Sequence, residues 1–395
     1  MFQLDIPVFA YSDPWLRPVE DRIAELTRSS TRILYLYEAA DSSTFRYRVF
    51  NMHEIWRKQA GISSSYFFYH ELADLLKSPV AADIVVVCRC RYSHSLVDFL
   101  SAQRARGARV YFDVDDFVFS PPHVHLLVNT LAQDLSHPGI WDFWHAYTSR
   151  MREAIRLCDG VIVTNSYLQT RISADFDLPT VVIPNALNVR QLDASERIYE
   201  AKLRNGFARS GNFQLGYFSG TPSHEKDFQL IETALAGLMN RHSQLSLRVV
   251  GYLGDRELFR RFRGRVEQYP LHDFVNLQRI KAFSEVNLVP LQDNIFTNCK
   301  SELKYFEAAI VGTATVATPI HSYASAIRHG DNGYLALAHE WEECLETLIV
   351  NDTLVIETAK RACVSAKAIY APEAQAGIVE QAFFGNGGLE PLVAR

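Results

Sequence analysis

The stretch Phe213–Leu235, FQLGYFSGTPSHEKDFQLIETAL, decides the fold. An apolar run, Phe213–Phe218, ends in a turn of small and polar residues, and a helical pattern follows from Lys226 to Asn240. A buried strand feeding a helix through such a turn opens a doubly wound α/β sheet. The alternation continues through Leu245–Val250 (LSLRVV), a short candidate strand at Phe274–Leu277, and Val286–Pro290 (VNLVP). A helix is expected over Ser301–Val311, and a strand at Thr315–Thr318.

Upstream, the same pattern has already run once. Arg32–Glu38, Asp83–Cys88, Ala108–Val114, Gly160–Thr164 and Thr180–Pro184 read as buried strands. Ser95–Arg106 and Trp141–Cys158 read as helices between them. Apolar runs without strict alternation, separated by helices, point to parallel sheets covered on both faces. Charge rises over Gln191–Gly211, which marks the boundary between two units. The expected division is 1–205, 206–372 and a final segment 373–395 whose helical stretch, Glu373–Phe383, returns to the first unit. Two Rossmann-like domains then face each other across a cleft at the carboxyl ends of their strands, where such sheets bind ligands.

Composition excludes several classes. A net charge of −5 gives no nucleic-acid footprint. No run of about 18 apolar residues is present, and MFQLDIPVFAYSDPW lacks the basic and apolar regions of a signal peptide. The six cysteines are scattered, without zinc or disulfide spacing, and Cys88-x-Cys90 lies in an apolar strand where packing explains it. These features predict a cytoplasmic protein.

The most informative chemistry lies in Asp293–Pro319, DNIFTNCKSELKYFEAAIVGTATVATP. Lys300, Lys304 and Glu307 are spaced i, i+4, i+7 and share one face of the expected helix. Thr297, Asn298 and Ser301 are candidate caps, and Gly312 is placed to end the helix. A helix N-terminus with lysines beside it suits an anion, and a carboxylate two turns on suits two ribose hydroxyls. The plainer alternative is an amphipathic surface helix with solvated charges.

This segment resembles the donor-binding stretch of the large retaining GT-B glycosyltransferase family, which includes many bacterial polysaccharide mannosyl-, rhamnosyl- and galactosyltransferases. Val289-Pro290-Leu291, Asp293-Asn294, Asn298, Lys300–Glu307 and Gly312 carry the likeness, with Gly330, Asn332 and Gly333 downstream and the strand–turn–helix at Phe213 upstream. The resemblance implies a retaining transferase that takes its sugar from a nucleoside diphosphate sugar. The acceptor would be an oligosaccharide or lipid-linked glycan in bacterial surface polysaccharide synthesis. Residues 206–372 would hold the donor and 1–205 the acceptor. No other cofactor and no metal is implied. Peripheral contact with the inner membrane, or with other polysaccharide-assembly enzymes, would fit this role. It further implies that Glu307 meets the ribose, that Lys300 and Lys304 meet the diphosphate, and that Ser301, Asn298, Gly220, Thr221, His224 and Lys226 line the nucleotide. Two positions depart from the family. Its Glu-x7-Glu pair has Cys299 in place of the first carboxylate, and the arginine of its first turn is Thr221 here. The alternatives are a nucleotide-sugar epimerase of similar fold and a non-catalytic, degenerate transferase acting as a scaffold.

The first unit adds three constellations. In DSSTFRYR, Arg46 and Arg48 fall on one side of an extended stretch and would clamp a phosphate or acidic acceptor; the alternative is that they tie the loop to carboxylates of their own domain. In YFDVDDFVF, Asp115 and Asp116 would face the cleft and contact sugar hydroxyls or orient the acceptor; metal binding and helix capping are the alternatives. His123, in PPHVHLL, would reach the cleft, where the family resemblance implies a histidine against the donor sugar; the alternative is a structural role. Asp115, Asp116 and His123 join Lys300 and Lys304 as candidate catalytic residues. Arg256–Arg265, RELFRRFRGR, reads either as a membrane-facing basic helix or as a solvated face.

Overall fold

The sequence builds two parallel sheets in succession. A computed structural model describes residues 1–78, 80–220, 225–385 and 389. In the first sheet β1 (Thr31–Tyr37), β2 (Ile62–Phe68), β3 (Ile84–Cys88), β4 (Arg109–Val114), β5 (Gly160–Val163) and β6 (Thr180–Val182) lie in the order β2-β1-β3-β4-β5-β6. In the second, β7 (Phe213–Ser219), β8 (Leu245–Gly251), β9 (Val266–Tyr269), β10 (Val286–Val289), β11 (Ala314–Ala317) and β12 (Tyr334–Leu335) lie in the order β12-β11-β10-β7-β8-β9. All the pairings are parallel. Strand order reverses between β1 and β3 in one sheet and between β7 and β10 in the other. These reversals leave crevices at the carboxyl ends, where the following loops diverge.

β2 is absent from the sequence expectation because it opens Ile-Ser-Ser-Ser. The serines are nonetheless buried: Ser63 Oγ donates to the Leu26 carbonyl, and Ser64 Oγ pairs with His53 Nδ1 at 2.8 Å. Internal partners reduce the cost of burying the Ser63 and Ser64 hydroxyls, while Ser65 Oγ is buried without one, so a mostly satisfied polar run serves as a strand. Phe274–Leu277 corrects the opposite way. Asp273 accepts hydrogen bonds from the Val275 and Asn276 N–H groups and starts a helix, Phe274–Ala282, not a strand. The charged stretch at Gln191 is likewise a helix, Val189–Arg204, capped by Asn188.

Contacts between the domains are extensive. Phe296 and Cys299 belong to the second domain's chain yet join the hydrophobic cluster under the first sheet. Phe296 is 2% exposed, and burying such a ring contributes roughly 2–3 kcal/mol. The last helix, Pro372–Phe384, packs on the first domain: Phe383 stands edge-on to Trp56 with ring centroids 5.4 Å apart, and Lys58 pairs with Glu373 at 2.6 Å. The glycine-rich tail beyond it lies almost wholly outside the described residues.

The basic segment forms only a short helix, Glu257–Arg261. Phe259 and Phe262 are buried in the second-domain core, and Arg256 pairs with Glu225 and Glu232, so both rings face inward. Among the described residues, no helix is long and apolar enough to cross a membrane.

Candidate active site

The two sets of carboxyl ends meet. From the first domain come Thr44 and Arg46 after β1, Arg89 after β3, Asp115 and Asp116 after β4, and Asn165 and Asn185 after β5 and β6. From the second come Gly220 after β7, Lys226 at the start of the next helix, and the segment 290–307 after β10. At Gly251, ending β8, φ is +93° and a Cβ would lie 1.9 Å from the Ser219 carbonyl oxygen. Only glycine lets β7 and β8 end this close together.

The helix carrying the lysines is shorter than expected, Leu303–Ala309, and Lys300 lies in the turn before it. Lys300, Lys304 and Glu307 therefore do not share one helical face. A separate short helix, Ile295–Asn298, precedes them, and its cap is Asn294, which accepts from the Thr297 N–H.

Each of the three reaches different partners. Lys300 Nζ lies 3.5 Å from Asp116 Oδ1, across the cleft. Lys304 Nζ is buried and has no hydrogen-bond partner. It sits 5.6 Å from the centroid of the Tyr217 ring. Burial lowers its pKa to about 8, with Asp227 pulling the other way. Glu307 is 6% exposed, and both of its oxygens are engaged. Oε1 accepts from Arg46 Nη2 at 3.2 Å, from Gln191 Nε2 at 3.2 Å, and from the Tyr47 hydroxyl. Oε2 accepts from Lys281 Nζ. Burial pushes the Glu307 pKa up, but Lys281 and Arg46 more than offset this and hold it at about 2.

Arg46 and Arg48 stand on a π-helical turn, Arg46–Phe50, not on an extended stretch. They consequently diverge. Arg46 points into the interface with Glu307. Arg48 is fully buried and grips Asp113 with Nε and Nη2 at 2.8 and 2.9 Å, while Nη1 donates to the Ile183 carbonyl and Asn185. The expected anion clamp is thus half structural: the Arg48 donors are spent on its own domain.

Arg89, which the sequence reading missed, organises the first-domain carboxylates. Its Nη1 lies 3.0 Å from Thr44 Oγ1, 3.0 Å from Asp115 Oδ1 and 3.4 Å from Asp116 Oδ2. Its φ is +46°, an unfavourable backbone state for a non-glycine residue. The signal was its place immediately after the apolar run DIVVVC. Lys281, Gln191 and Tyr47 were also missed. Lys281 follows the segment read as a strand, and Gln191 begins the charged stretch read as a boundary.

The remaining candidates are placed as follows. Ser301 Oγ accepts from Asn185 Nδ2 at 2.8 Å, across the interface. Asn298 bonds Asp293 and the Asn294 carbonyl and accepts from the His321 N–H, so it braces its own loop. Lys226 Nζ reaches Asn129 Oδ1 of the first domain at 2.5 Å. Gly220 has open space on the side where a Cβ would project. His123 Nδ1 pairs with Ser120 Oγ at 2.8 Å and its ring lies against Phe117, both in its own domain. Thr221 and His224 lie outside the described residues. Among the described residues, no three His, Cys, Asp or Glu side chains are grouped to hold a metal ion.

Residues 213–351 match the family model described as glycosyl transferases group 1. No curated protein matches the chain significantly in sequence. Among solved structures, Anabaena Alr3699/HepE in complex with UDP and glucose is similar, with TM-score 0.60 and 16% identity over 88% of this chain and 98% of that one. Sucrose-phosphate synthase from Thermosynechococcus elongatus gives 0.59 and 13%, over 88% and 97%. S. aureus TarM in complex with UDP gives 0.51 and 14%, covering 74% of this chain; the chain spans 54% of TarM's length. These likenesses establish the GT-B fold.

Proposed function

We infer, from the group 1 glycosyl transferase domain at residues 213–351, that this chain is a glycosyltransferase taking its sugar from a nucleoside diphosphate donor. The observation that carries the reading is the Lys304 ammonium, buried without a hydrogen-bond partner in the second domain. A buried ammonium without a hydrogen-bonded counter-charge is costly even with Asp227 nearby, and a diphosphate would offset the cost. Lys300, beside it in the chain, adds a second cation.

Glycosyl transfer develops negative charge on the departing diphosphate. The buried Lys304 and the partly exposed Lys300 would stabilise that charge as it grows, without requiring a metal. Glu307 is assigned to the ribose. Its Oε1 partners from the first domain, Arg46 and Tyr47, are those that a domain rotation would exchange for hydroxyls. Asp115 and Asp116, held by Arg89, are assigned to sugar hydroxyls on the opposite wall. Retention of configuration, and a glycan or lipid-linked acceptor in surface polysaccharide synthesis, follow from the family resemblance. UDP bound in the HepE and TarM structures makes UDP-sugars the first donors to try.

The test is hydrolysis and transfer over a panel of UDP-, GDP- and dTDP-sugars, with and without oligosaccharide acceptors. Turnover of one donor that depends on Lys304 supports the reading. Inertness toward the whole panel, with no nucleotide binding, contradicts it.

A further inference from the structure

We propose that Lys281 is the positioning residue of the nucleotide site: it fixes one oxygen of Glu307 and leaves the other for the ribose. This inference rests on the assignment of Glu307 to the ribose. The two oxygens differ in what holds them. Oε2 accepts from Lys281, on the helix Phe274–Ala282 of the same domain. That helix packs on both Leu303–Ala309 and Val189–Arg204. Gln278, one turn before Lys281, locks the packing: its Nε2 donates to the Glu307 carbonyl at 2.8 Å and to Ser195 Oγ at 3.0 Å. These contacts hold the helix that carries Lys281 against the helix that carries Glu307. Oε1, in contrast, takes Arg46 and Tyr47 from the first domain and Gln191 from the helix that crosses between domains.

The charge of Lys281 is what matters. It is 1% exposed, and a lysine kept there only to fill space would carry an ammonium at a desolvation cost with no return. The titratable and charged groups around Glu307 are Lys281 from one helix, Arg46 and Tyr47 from the π-helical turn, Lys304 on its own helix, and Tyr323 from the helix His321–Ala326. Once a nucleotide displaces Arg46 and Tyr47, Lys281 is the cation left in contact. It keeps the carboxylate ionised, and the ionised form accepts two hydroxyl hydrogen bonds about twice as strongly as the neutral acid.

The experiment is UDP titration by calorimetry at pH 7 and pH 5, with wild type, Lys281→Met, Lys281→Arg and Glu307→Gln, each checked by circular dichroism. Comparing variants at the same pH cancels the titration of UDP itself. Lys281→Met is expected to bind UDP about tenfold more weakly at pH 7, and to lose about tenfold more at pH 5 as Glu307 takes up a proton. Lys281→Arg restores most of the affinity at both pH values. Lys281→Gln serves as a second neutral variant if Lys281→Met does not fold. A wild-type affinity in the neutral variants, or a deficit equal at both pH values, overturns the proposal, because packing damage has no pH signature. Glu307→Gln separates the two claims. If it weakens UDP binding while the neutral Lys281 variants do not, the positioning role alone fails. If it binds as wild type, the ribose assignment fails and takes this proposal with it.

Discussion

The guanidinium of Arg46, in the first domain, lies 3.2 Å from the carboxylate of Glu307, in the second. The pair is buried, so the interface is fastened at the carboxylate assigned to the nucleotide. Arg46→Met is expected to destabilise the protein by about 2 kcal/mol, below the usual cost of breaking a buried pair because Lys281 and Tyr47 still hold Glu307. Urea denaturation checks this.

Glu307 also gives the fold an acid limit. Its pKa of about 2 lies below the value of about 4.3 for an unfolded glutamate. A depressed carboxylate stabilises the folded state above the unfolded pKa, and that stability is lost as pH falls through the folded one. The window is therefore about pH 4.5 down to about 2, and the loss is about 3 kcal/mol. Denaturation midpoints across that range should fall in wild type. Glu307→Gln should flatten this part of the profile.

Lys304 has the opposite signature. A lysine lowered to about 8 costs the free protein stability below that pH, and the cost is relieved as pH rises toward about 10.4. A bound diphosphate reverses the preference and raises the pKa. UDP binding at pH 8 should therefore take up about half a proton. Calorimetry in two buffers of different ionisation enthalpy measures the uptake, and Lys304→Met should abolish it.

Arg48→Met should cost about 3–5 kcal/mol of stability, because it strips the fully buried Asp113 of its bidentate partner. Differential calorimetry checks this. If the variant can be held folded, UDP affinity should be near wild type, which distinguishes Arg48 from Arg46.

Part of this was legible in the sequence. The parallel architecture was, because runs such as Ile84–Cys88 (IVVVC) are apolar on both faces and end in polar turns. The placement of Lys300 and Lys304 after a strand end was also legible. Side-chain direction was not. A helix beginning at Leu303, not Ser301, puts Lys300 outside the i, i+4, i+7 row, and a π-helical turn at Arg46 sends two neighbouring arginines to different carboxylates. Lys281 was hidden because a tetrapeptide, Phe274–Leu277 (FVNL), has no period long enough to separate strand from helix. The cap at Asp273 was the available signal.

Whether Lys304 stabilises charge on a departing diphosphate is read from the kinetics of Lys304→Ala with the preferred donor. An interaction that strengthens in the transition state appears in kcat. kcat is expected to fall at least about 100-fold, while the affinity for the intact donor falls no more than about tenfold. A variant with wild-type kcat, folded by circular dichroism, would contradict it.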